Sequence, residues 1–290
     1  MRKAWFGMIL LLAACGSGEL SAETEWEEGY GELPDAIESK FTHEEDILAC
    51  LHDNGWTHGE NFDEAADPGK RTGTWFLHDG GGTFGYGWPH GIMPSGTEYE
   101  AVLFEHGEGE ADVDRKLQLT VVDYSSCEAG ETVVQERTGI GSFDQKKTFF
   151  SGEIPGPDGM LYLSELSVLH PDTGEAEDTR SGFLLTAPNE IGAALSYEND
   201  AIKLENTGPV PLVTGSAYTV EKRVNETWRT VPTEQAFTDE AIAIGIGESV
   251  EETVELPELA AGEYRLVKQV HPDGFSGEYT LAIPFEVKQP

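Results

Sequence analysis

Tyr279, Leu281, Ile283, Phe285 and Val287 alternate without a break with Thr280, Ala282, Pro284 and Glu286. A period of two puts five large apolar side chains on one face of an extended chain, and that face must be covered by another layer. Pro284 cannot donate to a ladder, so this strand belongs at an edge or a bulge. Two further stretches repeat the pattern, with Val250, Val254 and Leu256 in one and Tyr264, Leu266 and Val270 in the other. Upstream, Thr74–His78, Glu98–Phe104, Lys116–Tyr124, Glu131–Arg137, Lys147–Glu153, Met160–Leu169 and Ser181–Thr186 read as short strands punctuated by Gly, Pro and Asp. No long helical stretch alternates with them, which argues against a parallel α/β sheet. The sequence therefore predicts an all-β chain of two antiparallel β-sandwiches, the second carrying Leu259, Gly262 and Tyr264 where a tyrosine corner sits.

One short N-terminal helix precedes them. Thr42 and Glu45 have capping-box spacing, Ile47, Cys50 and Leu51 share a face, and Gly55 marks the stop. Residues 16–40 are rich in Gly, Ser and Glu and show no periodicity, which predicts an extended acidic tether. The organisation expected is a signal at 1–14, a tether at 15–40, a sandwich with its leading helix at 41–188, and a second sandwich at 189–290.

The chain has 54 acidic and 18 basic residues and a formal charge of −36. Such a surface repels nucleic acid phosphates and anionic lipid, and no nucleic-acid partner is expected. With 38% hydrophobic and 10% aromatic residues, the acidity decorates a folded core rather than a disordered chain.

Arg2 and Lys3 followed by an apolar run from Ala4 to Leu12 have the form of a secretory signal, too short for a membrane-spanning helix. Leu12-Ala13-Ala14-Cys15 resembles the lipobox of bacterial lipoproteins. The resemblance implies a lipid on Cys15, a chain held to the cell membrane on its extracytoplasmic face, and removal of residues 1–14. Cys50 and Cys127 then remain as an even pair, open to two readings, a disulfide or two separate thiols.

Motifs with catalytic spacing are missing from the sequence. There is no Gly-x-Ser-x-Gly, His-Glu-x-x-His, Cys-x-x-Cys or P-loop, and no EF-hand spacing. Gly80, Gly82 and Gly85 formally fit a dinucleotide fingerprint, but Gly87 and Pro89 stand where its helix should begin. Histidines 43, 52, 58, 78, 90 and 106 crowd the front half, and His78 with His90 and Asp79 is the one arrangement worth testing for a metal. The plainer reading is surface and turn histidines, and neither a metal nor a cofactor is expected. Trp75, Phe76, Phe84, Tyr86 and Trp88 crowd a glycine-rich stretch. Exposed, Trp75, Tyr86 and Trp88 flanked by His78 and His90 would form a platform for sugar rings; buried, they would be core.

The last third resembles a known family. Tyr218, Glu221, Lys222, Trp228, the Gly247-Glu248-Ser249 turn, Gly262, Tyr264 and Arg265 match the bacterial immunoglobulin-like domain common in exported proteins of bacilli. That resemblance implies a fold, not an activity. His170-Pro171-Asp172 and His271-Pro272-Asp273 each end an apolar run before a Gly and another such run, as though one hairpin were repeated. The function expected is a non-enzymatic interaction or scaffold module at the cell surface. An envelope protein or wall polymer would be its partner; carbohydrate binding and a hidden hydrolase in the first domain are the alternatives.

Overall fold

The structure, a computed structural model, describes residues 22–58, 75–76, 83–106, 110–233, 236–238 and 240–288. The lipobox with Cys15, and His78 with Asp79, lie outside the described residues. A 3-10 turn at Ala22–Glu25, strand β1 (Ala36–Ile37) and helix α1 (Glu45–Asp53) come first.

The first sandwich pairs β2 (Phe84–Gly87), β4 (Glu98–Glu105) and β7 (Lys146–Glu153) in one sheet. Its second sheet runs from β3 (Gly91–Met93) through β9 (Ala176–Thr186), β8 (Leu161–Leu169) and β5 (Glu110–Asp123) to β6 (Thr132–Asp144). Alternate residues of both sheets meet between them: Tyr99, Ala101 and Leu103 of β4 share a core with Leu117, Leu119 and Val121 of β5. Among the described residues one strand pair and one isolated bridge, Phe76 with Phe84, depart from the all-antiparallel expectation. The edge strand β3 runs parallel to β9, with Gly91 opposite Leu184, because the chain changes sheets between β2 and β3. With β4 and β7 lettered B and E, and β5, β6, β8 and β9 lettered C, C′, F and G, this is the strand order of an immunoglobulin sandwich.

The second sandwich has the same plan. β10 (Ala193–Glu198), β11 (Ala201–Asn206) and β16 (Ser249–Thr253) form one sheet. In the other, β17 (Gly262–Pro272) lies between β13 (Thr219–Val224) and β18 (Tyr279–Val287), with β14 (Thr227–Thr230) beyond β13. β12 (Leu212–Gly215) joins the end of β17 and carries β15 (Ala241–Ile244). β10 and β11 turn over Asn199 and Asp200, both at positive φ (52° and 59°), as a tight hairpin with right-handed strand twist requires. The Tyr264 hydroxyl donates to Ala260 O at 2.8 Å, closing the tyrosine corner. Both His-Pro-Asp segments end the first strand of an antiparallel hairpin, β8–β9 and β17–β18.

Helix α1 begins later than the capping box implies. Glu44, not Thr42, is its N-cap, and no side chain caps it. The reason lies in the preceding residues: His43 is drawn into a buried contact with Pro209, which keeps the backbone extended past Thr42. The other end follows the expectation. Gly55 sits at φ 69°, its N–H bonds His52 O, and Trp56 N bonds Leu51 O, a Schellman closure. Among the described residues no helix is long and apolar enough to cross a membrane.

Candidate functional site

The acidic segment expected as a tether is instead, over its described part, a strap folded along the second sandwich. Trp26 packs against the core that holds Val231 and Tyr264. Thr230 N donates to Glu27 O (2.9 Å) and Gly29 N donates to Trp228 O (3.0 Å), so the strap extends the sheet beyond β14. It then crosses the outer face: Ala282 N of β18 donates to Pro34 O and Leu195 N donates to Asp35 O, both at 2.8 Å. Finally β1 pairs with β10, Ala36 opposite Ala194 and Ile37 opposite Ala193. Composition misled here because the ordering groups are backbone amides and two widely spaced apolar anchors, which leave no period to read.

What grips the strap is a buried ion pair. Glu221 of β13 and Arg265 of β17 stand opposite each other on the outer sheet face, yet are 0% and 3% exposed. Arg265 Nε and Nη2 lie 2.7 and 2.6 Å from Glu221 Oε2. Glu221 Oε1 accepts from Tyr30 N (2.9 Å), and Arg265 Nη2 donates to Tyr30 O (2.6 Å). The guanidinium stacks 4.2 Å above the Trp228 ring. Two charges taken out of water are tolerable only when their remaining lone pairs and protons are satisfied, and the Tyr30 peptide satisfies them. Gly29 is required for the approach, since a Cβ there would fall inside the Glu221 carboxylate. Beside it, Lys222 Nζ donates to Glu23 Oε1 at 2.6 Å and lies 5.4 Å over the Tyr264 ring. Burial works against the Lys222 charge, but Glu23 and Tyr264 together outweigh it and raise its pKa above the ordinary value. Lys268, buried on the inner face of β17, pairs with Glu252 of β16 across the sandwich.

A second constellation joins the two sandwiches. Ile47, Cys50 and Leu51 of α1 and Trp56 after it form one buried cluster with Leu161, Phe183 and Leu185 of the first sandwich and Ile246 of the second. Trp56 stacks on Phe183 with centroids 5.2 Å apart. Ile246 N donates to Thr57 O (3.1 Å), Thr57 Oγ1 donates to Glu248 Oε1 (2.7 Å), and His58 Nε2 lies 2.8 Å from Glu248 Oε2. His43, 5% exposed, places Nε2 2.9 Å from Pro209 O; burial lowers its pKa, opposed by that bond and by Asp158. The Asn206 side chain donates to Val210, Ile244 and Gly245 carbonyls and accepts from Gly208 N, fixing the loops that meet the helix. Cys50 and Cys127 form a disulfide (S–S 2.01 Å), tying α1 to the turn between β5 and β6.

The aromatic stretch is core, not platform. Phe84 is fully buried and Trp88 is 7% exposed, with Trp75 and Tyr86 packed half-buried against the same cluster. Trp88 Nε1 donates to Ser164 O (3.4 Å) and Tyr86 lies under the buried Arg180 guanidinium, 5.2 Å from its ring. Phe84, Tyr86 and Trp88 alternate along the strand and all pack into the interior, because a three-stranded sheet must cover a five-stranded one and needs its largest rings to do so. His90 lies tilted against Trp88, ring centroids 4.2 Å apart, and places Nδ1 2.6 Å from Trp88 O. Among the described residues no group of three or more His, Cys, Asp and Glu is placed to hold a metal ion.

The domain that receives the strap can be compared with known proteins. Residues 189–286 match the family model of a bacterial Ig-like domain. Half of the ten residues that carry the resemblance in the sequence also hold the strap: Glu221, Lys222, Trp228, Tyr264 and Arg265. No curated protein matches the chain. Red sea bream transglutaminase is similar in structure at 10% identity and a TM-score of 0.29, over 72% of this chain and 32% of that one. The chain thus spans about a third of the transglutaminase's length. A chaperone–tip adhesin complex of CFA/I fimbriae biogenesis gives 10% identity and 0.27, over 67% and 93%. The BSP domain of a biofilm-associated protein gives 16% and 0.21, over 69% and 29%. Scores this low carry no inference about this chain.

Proposed function

We propose that this protein is an extracytoplasmic lipoprotein, anchored by lipid on Cys15, whose two sandwiches form a non-enzymatic interaction or scaffold module at the cell surface. The observation that carries the reading is where the buried charges go. Among the described residues Glu221, Arg265, Lys222 and Lys268 bind other parts of the same chain, and Asp178 and Arg180 are held within the first sandwich against Phe76 and Tyr86. Two immunoglobulin-type sandwiches joined by a shared buried cluster present sheet edges and loop tips, surfaces suited to recognition of another protein. The strong negative charge keeps such a module hydrated and directs it toward neutral or basic partner surfaces.

The test is capture by the chain beginning at residue 16, offered purified cell wall and solubilised envelope proteins separately, at low and high salt. Saturable retention of a defined envelope protein, with no change in the wall polymer, is the expected result. Wall binding abolished by Tyr86→Ala would move the activity to the aromatic stretch, and release of soluble wall fragments would replace the reading with a hydrolase.

A further inference from the structure

We infer that the strap reverses the order of the two sandwiches relative to the membrane, making the Ig-like domain the base and the first sandwich the outward tip. This rests on attachment through Cys15. In sequence the first sandwich comes directly after the anchor, and a free tether would leave it nearest the bilayer.

The docked strap forbids that arrangement. Ala22–Glu25 begins at one end of the Ig-like domain, where Glu23 and Trp26 share a groove with Val231, Pro232, Pro257 and Leu259 beside the start of β17. The joint to the first sandwich is at the opposite end. Pro209, Gly245 and Ile246 belong to it, and the nearby Pro211 O accepts from Asp273 N, just past the end of β17. β17 has eleven residues, so the two ends are separated by about 35 Å. From Cys15 to Ala22 a chain reaches at most about 25 Å even fully extended. The groove end is therefore kept close to the anchor, and the first sandwich begins a domain length further out. Its far end is the β8–β9 turn at His170–Gly174, remote from the joint residues Leu161 and Leu185 at the other ends of those strands. Undocked, the same segment would let either sandwich reach the bilayer.

Two positions report the order. Glu258 is exposed at the groove end of the Ig-like domain, and Thr173 is exposed at the far turn of the first sandwich. The full chain carrying Glu258→Cys or Thr173→Cys is produced in cells fed labelled palmitate. With Cys15 lipidated and Cys50 bridged to Cys127, the new thiol is the one available to a fluorescent donor, and headgroup-labelled acceptor lipid is added to the membranes. The expected result is palmitate incorporation that Cys15→Ser abolishes, and energy transfer severalfold stronger from position 258 than from 173. Absence of palmitate would overturn the anchoring and the inference with it. Palmitate with equal or reversed transfer would overturn the inference and leave the anchoring standing. In Gly29→Val, which drives a side chain into Glu221 from outside the sandwich, the difference should shrink; an unchanged difference would show that the docked strap does not set the order.

Discussion

At the scale of single residues the chain concentrates its risk in a few buried polar groups. Arg265→Ala would leave the Glu221 carboxylate buried without its partner, and removal of one member of such a pair costs about 3–5 kcal/mol. A urea titration should show that loss, and exchange of both residues for apolar ones should cost clearly less. His43 supplies a pH dependence. Burial depresses its folded pKa, while the unfolded chain keeps the ordinary 6.5. Below that value the unfolded state binds a proton that the folded state resists, so stability should fall as pH drops from 7.5 toward 5.5. His43→Gln should flatten part of that slope, measured as the difference in urea midpoint between the two pH values. These residues show what a sequence can and cannot disclose. Tyr264 was legible as a corner because its spacing from Gly262 is part of the pattern. The burial of Glu221 was not, because the group that covers it, the Tyr30 peptide, is 191 residues away and contributes no side-chain signal.

At the scale of elements, strands were legible and their surroundings less so. β18 announces itself through strict alternation, and α1 ends where Gly55 says it should. Its beginning was hidden because a tertiary contact of His43 overrides a good local cap. The aromatic run was legible as a cluster and left open whether it is platform or core, since sequence alone does not distinguish interior from exterior. In sequence the strap looks like a tether, because unpaired backbone in a Glu-rich segment has the same composition whether or not a sheet edge awaits it. The disulfide gives the element scale its own test. It links positions 77 residues apart, and the chain-entropy model assigns a loop of that length a stabilisation of about 4.5 kcal/mol. The double variant Cys50→Ser, Cys127→Ser should unfold at lower urea by that order, and reductant should shift the parent chain likewise while leaving the variant unmoved.

For the whole molecule, two sandwiches of like strand order are fused by a shared cluster into one body. Ile246 and Phe183 come from different sandwiches yet enter the same buried group through α1 and Trp56. Truncating a large buried aromatic costs about 3–5 kcal/mol. Trp56→Ala should take that from the joint and leave the two cores intact. Calorimetry should then resolve two transitions where the parent chain gives one; a single transition lowered as a unit would mean that the sandwiches are coupled by contacts other than this cluster. The pair of folds was legible in outline, since strand spacing and the Ig-type pattern both survive in the sequence. The coupling was not, because it is made by a short stretch, α1 and Trp56, whose place in the chain groups it with the first sandwich alone.

The strap also orders events in time. Tyr30 is synthesised before its partners Glu221 and Arg265, which lie 191 and 235 positions later. Contacts of such separation close late in folding. A chain that stops before β17 would lack Arg265, which holds the Tyr30 carbonyl, so this part of the clasp closes only after β17 has been made.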